Sequence, residues 1–268
     1  MEMTDPNNPY TPPEEQTSNI SIPLQTTGRS CGGTLLGIAY IVVPLFVVLG
    51  FLLPIFGRRG ATEATRRMSC SSNLRQIGIA LLNYEWKYHS LPPAYTVDAT
   101  GARLHSWRSL ILPFLEQQKL FDQIDFSKPW NHPDNKSIAD LTAPRSYRCP
   151  SNAIDKRFTT YLAIVDSETC FQATTGRKIA DVTDGASNTL VAIEANPTDA
   201  VHWMEPTDLN LAEFLEAIRN EKSARFRGHH AISLDNSVRY FPTDSETEFL
   251  KASVTPSAND DSGELPGA

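Results

Sequence analysis

One run of the chain is apolar but for Thr34 and the hydroxyl of Tyr40: "GGTLLGIAYIVVPLFVVLGFLLPIF", Gly32 to Phe56, with no charged residue in it. About 20 apolar residues cross the ~30 Å hydrocarbon core of a bilayer as a helix. A lone span has to be helical, because backbone groups unpaired in lipid are costly. Pro44 would kink such a helix and Pro54 falls near its end. A secretory signal would have a shorter apolar region, and no small-residue cleavage site follows Phe56. The pattern therefore predicts a retained transmembrane helix over 32–56. Residues 1–31 are polar and proline-rich, and 253–268 are acidic and small. Both read as disordered tails. A domain is expected between them, over 57–252, large enough for one hydrophobic core.

Inside that domain the periodicity changes along the chain. Cys70, Leu74, Ile77, Leu81, Tyr84 and Tyr88 recur at spacings of 4, 3, 4, 3 and 4, one face of a helix. Leu91 and the Pro92–Pro93 pair are expected to end it. Its first half, with Arg58, Arg59, Arg66 and Arg67, reads as a stalk. A second amphipathic helix is predicted within "LHSWRSLILPFLEQQKLFDQIDFSKPWN", on Trp107, Leu110, Ile111, Phe114, Leu115 and Leu120, interrupted at Pro113. Strand-like pieces follow: "YRCP", "TTYLAIV", "NTLVAIE" and "HHAISLDNSVRYFP". The last is a hairpin candidate turning at Asp235–Asn236, two residues that tolerate positive φ. A short terminal helix carries a capping-box pattern, Ser245-x-x-Glu248. Helices first and strands later point to an α+β class, a long helix packed on an antiparallel sheet.

Composition narrows the function. The net charge is −7, which leaves no global nucleic-acid footprint. Four cysteines without a C-x-x-C pair argue against a disulfide-dense scaffold and against the common zinc sites. "DVTDGASNT" offers Asp181, Asp184 and Asn188 as oxygen donors, but not at EF-hand spacing; a glycine-centred turn is the favoured reading. Ser187 lacks the second glycine of a nucleophile elbow. Glu194 is expected to have a basic structural partner. His229 and His230 are strand neighbours that point to opposite faces, so one metal cannot take both. Lys222, Arg225 and Arg227 nearby read as a solvated loop in preference to a patch for an acidic partner. No cofactor, metal ligand set or catalytic residue is predicted.

Six segments in order resemble a known family: "CSSNLRQIGIALLNYEWKYHSLPPAY", "SWRSLILPFLEQQKLFDQIDFSKPWN", "YRCPSN", "TTYLAIV", "IADVTDGASNTLVAIE" and "ISLDNSVRYF". Together they resemble the planctomycete prepilin-like proteins of unknown function, within the type IV pilin and type II secretion pseudopilin architecture. The resemblance covers most of residues 66–242. It implies an anchored, extracytoplasmic, non-enzymatic surface protein. Prepilins of this kind carry a short basic leader and a Glu at the fifth mature position that pairs with a neighbouring subunit. Here a long polar tail precedes the span and "GGTLLGIAY" has no such Glu. Leader cleavage and polymerisation into pili are therefore not expected. The family hairpin turns with Asp-Gly where this chain has Asp235–Asn236.

Cys70 and Cys149 fall in two of these motifs, and the phase of Cys70 turns it toward the core. A disulfide between them would clamp helix to sheet, contributing about 4 kcal/mol in the loop-entropy view; two buried thiols are the alternative. The bond needs an oxidising compartment. Counting Arg58, Arg59, Arg66, Arg67 and Arg75 after the span against Arg29 before it would put the domain in the cytoplasm. The resemblance puts it outside, and an extracytoplasmic domain is the expectation. The expected partners are the lipid bilayer and a protein or glycan at the cell surface, with no nucleic acid. Two function classes remain: a structural or interaction protein, or a receptor module for a small molecule or glycan. A deep pocket lined by Trp107, Trp130 or Trp203 would favour the second.

Overall fold

The computed structural model describes residues 64–220 and 228–256. The expected span over 32–56, the N-terminal tail and Arg58–Arg59 lie outside the described residues. Among those described, no helix is long and apolar enough to cross a membrane.

Helix α1 runs over 64–88. Cys70, Leu74, Ile77 and Leu81 are buried along one side, as their spacing requires. Tyr84 is half-buried, whereas Tyr88 is 51 % exposed and lies against Tyr84 at the rim. The helix stops before the prolines. His89 takes a left-handed φ of 59° and its N–H returns to the Glu85 carbonyl.

The second predicted helix does not form as one element. Its residues are divided among strand β2 (Arg103–Ser106), helix α2 (Trp107–Leu110), a 3₁₀ turn at Leu112–Leu115 and helix α3 (Gln118–Phe121). Strand β1 (Tyr95–Val97) claims the first residues for a hairpin with β2. Pro113 then has no N–H to continue a helix, and Glu116 turns left-handed at φ 59°. The apolar side chains still reach the core, by short turns instead of one face. Helix α4 (Pro133–Ala139) follows. Its buried Asn135 donates to the carbonyls of Asp125, Lys128 and Pro129 and accepts from Asp125 N, so one side chain organises that loop.

Strands β3 (Phe158–Thr159) and β6 (Val201–His202) form a small antiparallel pair. The main sheet is antiparallel, in the order β4-β5-β7-β8, from Tyr161–Ala163, Leu190–Glu194, Gly228–Ser233 and Val238–Pro242. The chain is thus α+β. Strands β4 and β5 are buried on both faces. Tyr161, Ala163, Ala192, Ile232 and Val238 belong to the core that includes α1, while Leu162, Ile193, Ala231 and Phe241 belong to a second core with α5 (Leu211–Arg219) and α6 (Thr247–Ala252). The hairpin turns where expected. Only Asn236 uses a positive φ, 69°, while the Asp235 carboxylate accepts from the Ser237 N–H and hydroxyl.

Helix α1 comes close to this hairpin at Gly78. A Cβ there would collide with the side chains of Asn236 and Ile232, so glycine is what lets the helix lie down on the sheet. The expected cap at Ser245 is absent: Glu246 is the N-cap of α6 without a side-chain bond, and the Ser245 hydroxyl donates to the Pro242 carbonyl. A complete capping box occurs instead on α5, between Asn210 and Glu213. Ser253 and Val254 are buried and the Pro256 carbonyl accepts from Thr183 N, so residues 253–256 belong to the folded unit and not to a tail.

Arg108, fully buried, ties these parts together. Its Nε donates to the Trp203 carbonyl, Nη1 to Asp208 Oδ1 at 2.6 Å and to the Tyr161 carbonyl, and Nη2 to the carbonyls of Glu205 and Thr207. Removing one partner of a buried ion pair strands the other and costs about 3–5 kcal/mol. Arg108→Met is expected to lose stability of that order in urea unfolding of the full chain. A loss below about 1 kcal/mol would show that the network matters little.

Candidate functional site

The structure holds a disulfide between Cys70 and Cys149, with Cα atoms 5.2 Å apart and a sequence separation of 79. Cys70 comes from the buried stripe of α1. Cys149 comes from a loop that follows a 3₁₀ turn at Arg145–Tyr147, not from a strand as "YRCP" suggested. Asn73 Nδ2 secures the same loop by donating to the Arg148 carbonyl at 2.8 Å. The Ser146 hydroxyl donates to Gln76 Oε1 at 2.8 Å. Three contacts from successive turns of α1 thus hold the 145–149 segment.

Under the bond lies Glu194, at the end of β5. Its carboxylate and the two sulfurs lie within 4.8 Å of one another, but an oxidised pair offers no thiolate to a metal. The basic partner of Glu194 is His230, whose Nδ1 is 3.4 Å from Oε2. His229 faces the opposite side of the sheet, and its Nδ1 meets the Glu194 carbonyl at 3.0 Å. The two histidines are thus separated as expected. Burial lowers the pKa of His229, and likewise those of His105 and His202. Cys170 is a free, buried thiol pushed up to about 12 by burial, which disfavours the thiolate form. The 181–189 segment is a glycine-centred turn: Gly185 has φ 87° and Asn188 Nδ2 donates to the Asp184 carbonyl. Lys222, Arg225, Arg227 and Cys31 lie outside the described residues.

Two of the open clefts on the described surface have volumes near 600 Å³. One, of about 590 Å³, has Tyr95 with the Arg103 guanidinium stacked 4.1 Å from its ring centre, and Asp166, Thr174 and Glu213 around it. The other, of about 600 Å³, lies beside the disulfide between α1 and the 145–158 loop, and includes Asn73, Gln76, Arg145, Arg148, Asn152 and Lys156. No tryptophan lines either cleft. Trp107 and Trp203 are fully buried, and Trp130 stacks on His202 with ring centres 4.6 Å apart. The outer side of α1 is unusual. Met68, Ile79 and Trp86 are 73, 49 and 80 % exposed and lie 11 and 7 residues apart. That spacing brings them to the same side of a 3.6-residue helix, opposite the buried stripe. The spacing of this second stripe is as visible in the sequence as that of the buried one, which alone serves as the signal of the helix.

Among known proteins, a family model described as "Protein of unknown function (DUF1559)" matches residues 59–177, under half of the chain. No curated protein and no solved structure matches the chain.

Two outcomes follow from the clamp and its surroundings. The Cys70→Ser/Cys149→Ser double variant is expected to lose about 4 kcal/mol, and dithiothreitol on the parent chain should cause a similar loss; a melting curve unchanged by either would remove the clamp from the stability of the fold. The buried histidines set a pH dependence. Above about 6.5, the ordinary histidine value, both folded and unfolded chains are neutral at these positions. Below it the unfolded chain takes protons that the folded one resists, so stability falls as the pH drops below about 6.5, until the lowered folded-state values are passed. Melting temperatures at pH 7.5, 6.5 and 5.5 measure this, and a rise toward pH 5.5 would contradict the assignment.

Proposed function

We propose that the chain is a membrane-anchored, pilin-like domain displayed outside the cytoplasm, and that it works by binding a partner through its surface and not by catalysis. The placing of the tryptophans carries this reading. A receptor module built on a deep aromatic pocket would use Trp107, Trp130 or Trp203 to line it. Two of these fill the core and the third stacks on a histidine. Trp86 is instead exposed on the outer face of α1, the side that also carries Ile79 and, about 27 Å away along the helix, Met68. Tryptophan and methionine are residue types enriched at protein interfaces.

The disulfide supports the compartment, since such bonds persist where glutathione and thioredoxin do not reduce them. The apolar run over 32–56 supports the anchor. The arginines that follow the span, which by counting favour the cytoplasm, include Arg66, Arg67 and Arg75 on the folded helix α1. The orientation rule was built on loops.

Protease added to intact cells is expected to digest the domain, and non-reducing peptide mapping to recover the Cys70–Cys149 peptide. Intact mass of the membrane-extracted chain should retain residues 32–56. A domain protected until lysis, with both thiols free, would place it in the cytoplasm and end this reading; a mature start at or beyond Gly57 would end the anchor.

A further inference from the structure

The cleft beside the disulfide gathers three cations and one carboxylate. Arg145, Arg148 and Lys156 line it together. None of the three side chains has a hydrogen bond or ion pair among the described residues. Arg148 Nε is moreover buried without an acceptor. Burying a guanidinium N–H with no partner is costly. The carboxylate at this cleft, Asp155, does not supply the missing charge. It is gripped by Arg157 through Nε and Nη2 at 3.1 and 2.8 Å, and that grip holds its pKa near 2.

The neutral groups add hydrogen-bonding capacity of the same kind. Gln76 uses its Oε1 on Ser146, which leaves the amide nitrogen uncommitted among the described residues. Asn152 uses its amide nitrogen on Thr160 and keeps its oxygen. Ile154 and Phe158 give the cleft an apolar edge. The volume, about 600 Å³, exceeds what a lone small anion needs. The walls are fixed by the disulfide and by the Asn73 and Gln76 contacts, so little ordering is required on binding.

We propose that this cleft binds an oxyanion carried on a larger polar ligand, the chemistry of an acidic glycan bearing sulfate, phosphate or carboxylate. Arg148 makes the charge-assisted contact through its outer guanidinium nitrogens, Arg145 and Lys156 flank it, and Gln76 and Asn152 meet hydroxyl groups beside it. The site stands on these residues alone; only the place where such a ligand is met rests on the extracytoplasmic reading.

The test uses the full chain in detergent. Potassium sulfate and a sulfated oligosaccharide are titrated against potassium chloride at matched ionic strength and against a neutral oligosaccharide of the same length. Thermal stability and calorimetry are the readouts. Sulfate is expected to stabilise the protein saturably, and the sulfated oligosaccharide to bind more tightly than sulfate. Arg148→Gln should weaken binding about tenfold, the size of one charge-assisted hydrogen bond. Arg145→Gln/Lys156→Gln changes two exposed side chains and should weaken it at least as much while the disulfide still maps. Lys136→Gln, a surface cation on α4, should change nothing. Absence of a saturable response, equal binding of the neutral oligosaccharide, or undiminished binding by the Arg145→Gln/Lys156→Gln variant would overturn the proposal. Because the assay is done on purified protein, a domain shown to be cytoplasmic would still pass or fail it independently.

Discussion

The Arg108 guanidinium has five N–H donors, and the fold is arranged so that each finds an oxygen. Four acceptors are main-chain carbonyls, of Tyr161, Trp203, Glu205 and Thr207, and the fifth is Asp208. A charge taken out of water is tolerated only when it is paired and fully hydrogen-bonded. That condition fixes where the 203–208 segment runs. Asp208 then passes the constraint on, since the same Oδ1 accepts from Trp107 Nε1 and Ala163 N. Burial pushes the Asp208 carboxyl up against the pull of Arg108, so the pair is held by geometry and not by surplus electrostatic energy. Edge strand β4, helix α2 and the segment leading into α5 are placed relative to one another through this one side chain.

Against that frame α1 is fixed by ties of different kinds. Gly78 removes the side chain that would hold helix and hairpin apart. The disulfide fastens the N-terminal half of the helix to the 149 loop, and Asn73 secures the same loop one turn on. A helix held this firmly from one side is free to use the other. The exposed line of Met68, Ile79 and Trp86 lies opposite the buried stripe, and the cleft opens on the flank between them, where Ser69, Asn73 and Gln76 stand. Both surfaces named as sites of interaction are thus presented by one helix whose position is set by packing, hydrogen bonds and a covalent bond.

What could be read in advance follows the range of the forces involved. The stripe on α1 was legible because a 3.6 period is a local property, and the hairpin because Asp235–Asn236 is a local turn signal. The 107–121 region misled because its apolar spacing suits a helix, while pairing of β2 with β1 and the missing N–H of Pro113 cut it into turns. Ser245-x-x-Glu248 had the right letters, but Asn210-x-x-Glu213 had them too, and only tertiary placement separates the pattern that caps from the one that does not. Arg108 was invisible for a stronger reason. An arginine in "SWRSLIL" reads as the polar face of a helix, and its partner stands a hundred residues away. The cleft is hidden in the same way, because Arg145, Arg148 and Lys156 are unremarkable until α1 is laid beside them.

The net charge gives the cleft its physical meaning. The chain carries 31 acidic residues against 24 lysines and arginines, so carboxylates able to pair with cations are in excess. Where pairing is useful the fold supplies it: Lys128 has both Asp125 and Asp134, and Arg157 has Asp155. Three cations left unpaired around one cleft run against that composition. A chain of charge −7 also repels an approaching anion at long range, a repulsion that salt screens beyond about 10 Å. Attraction to this cleft therefore has to come from contact: from a guanidinium with no partner of its own among the described residues, amide groups within reach and walls already in place. Recognition of that kind discriminates by the geometry of an oxyanion and the hydroxyl groups around it, more than by charge alone.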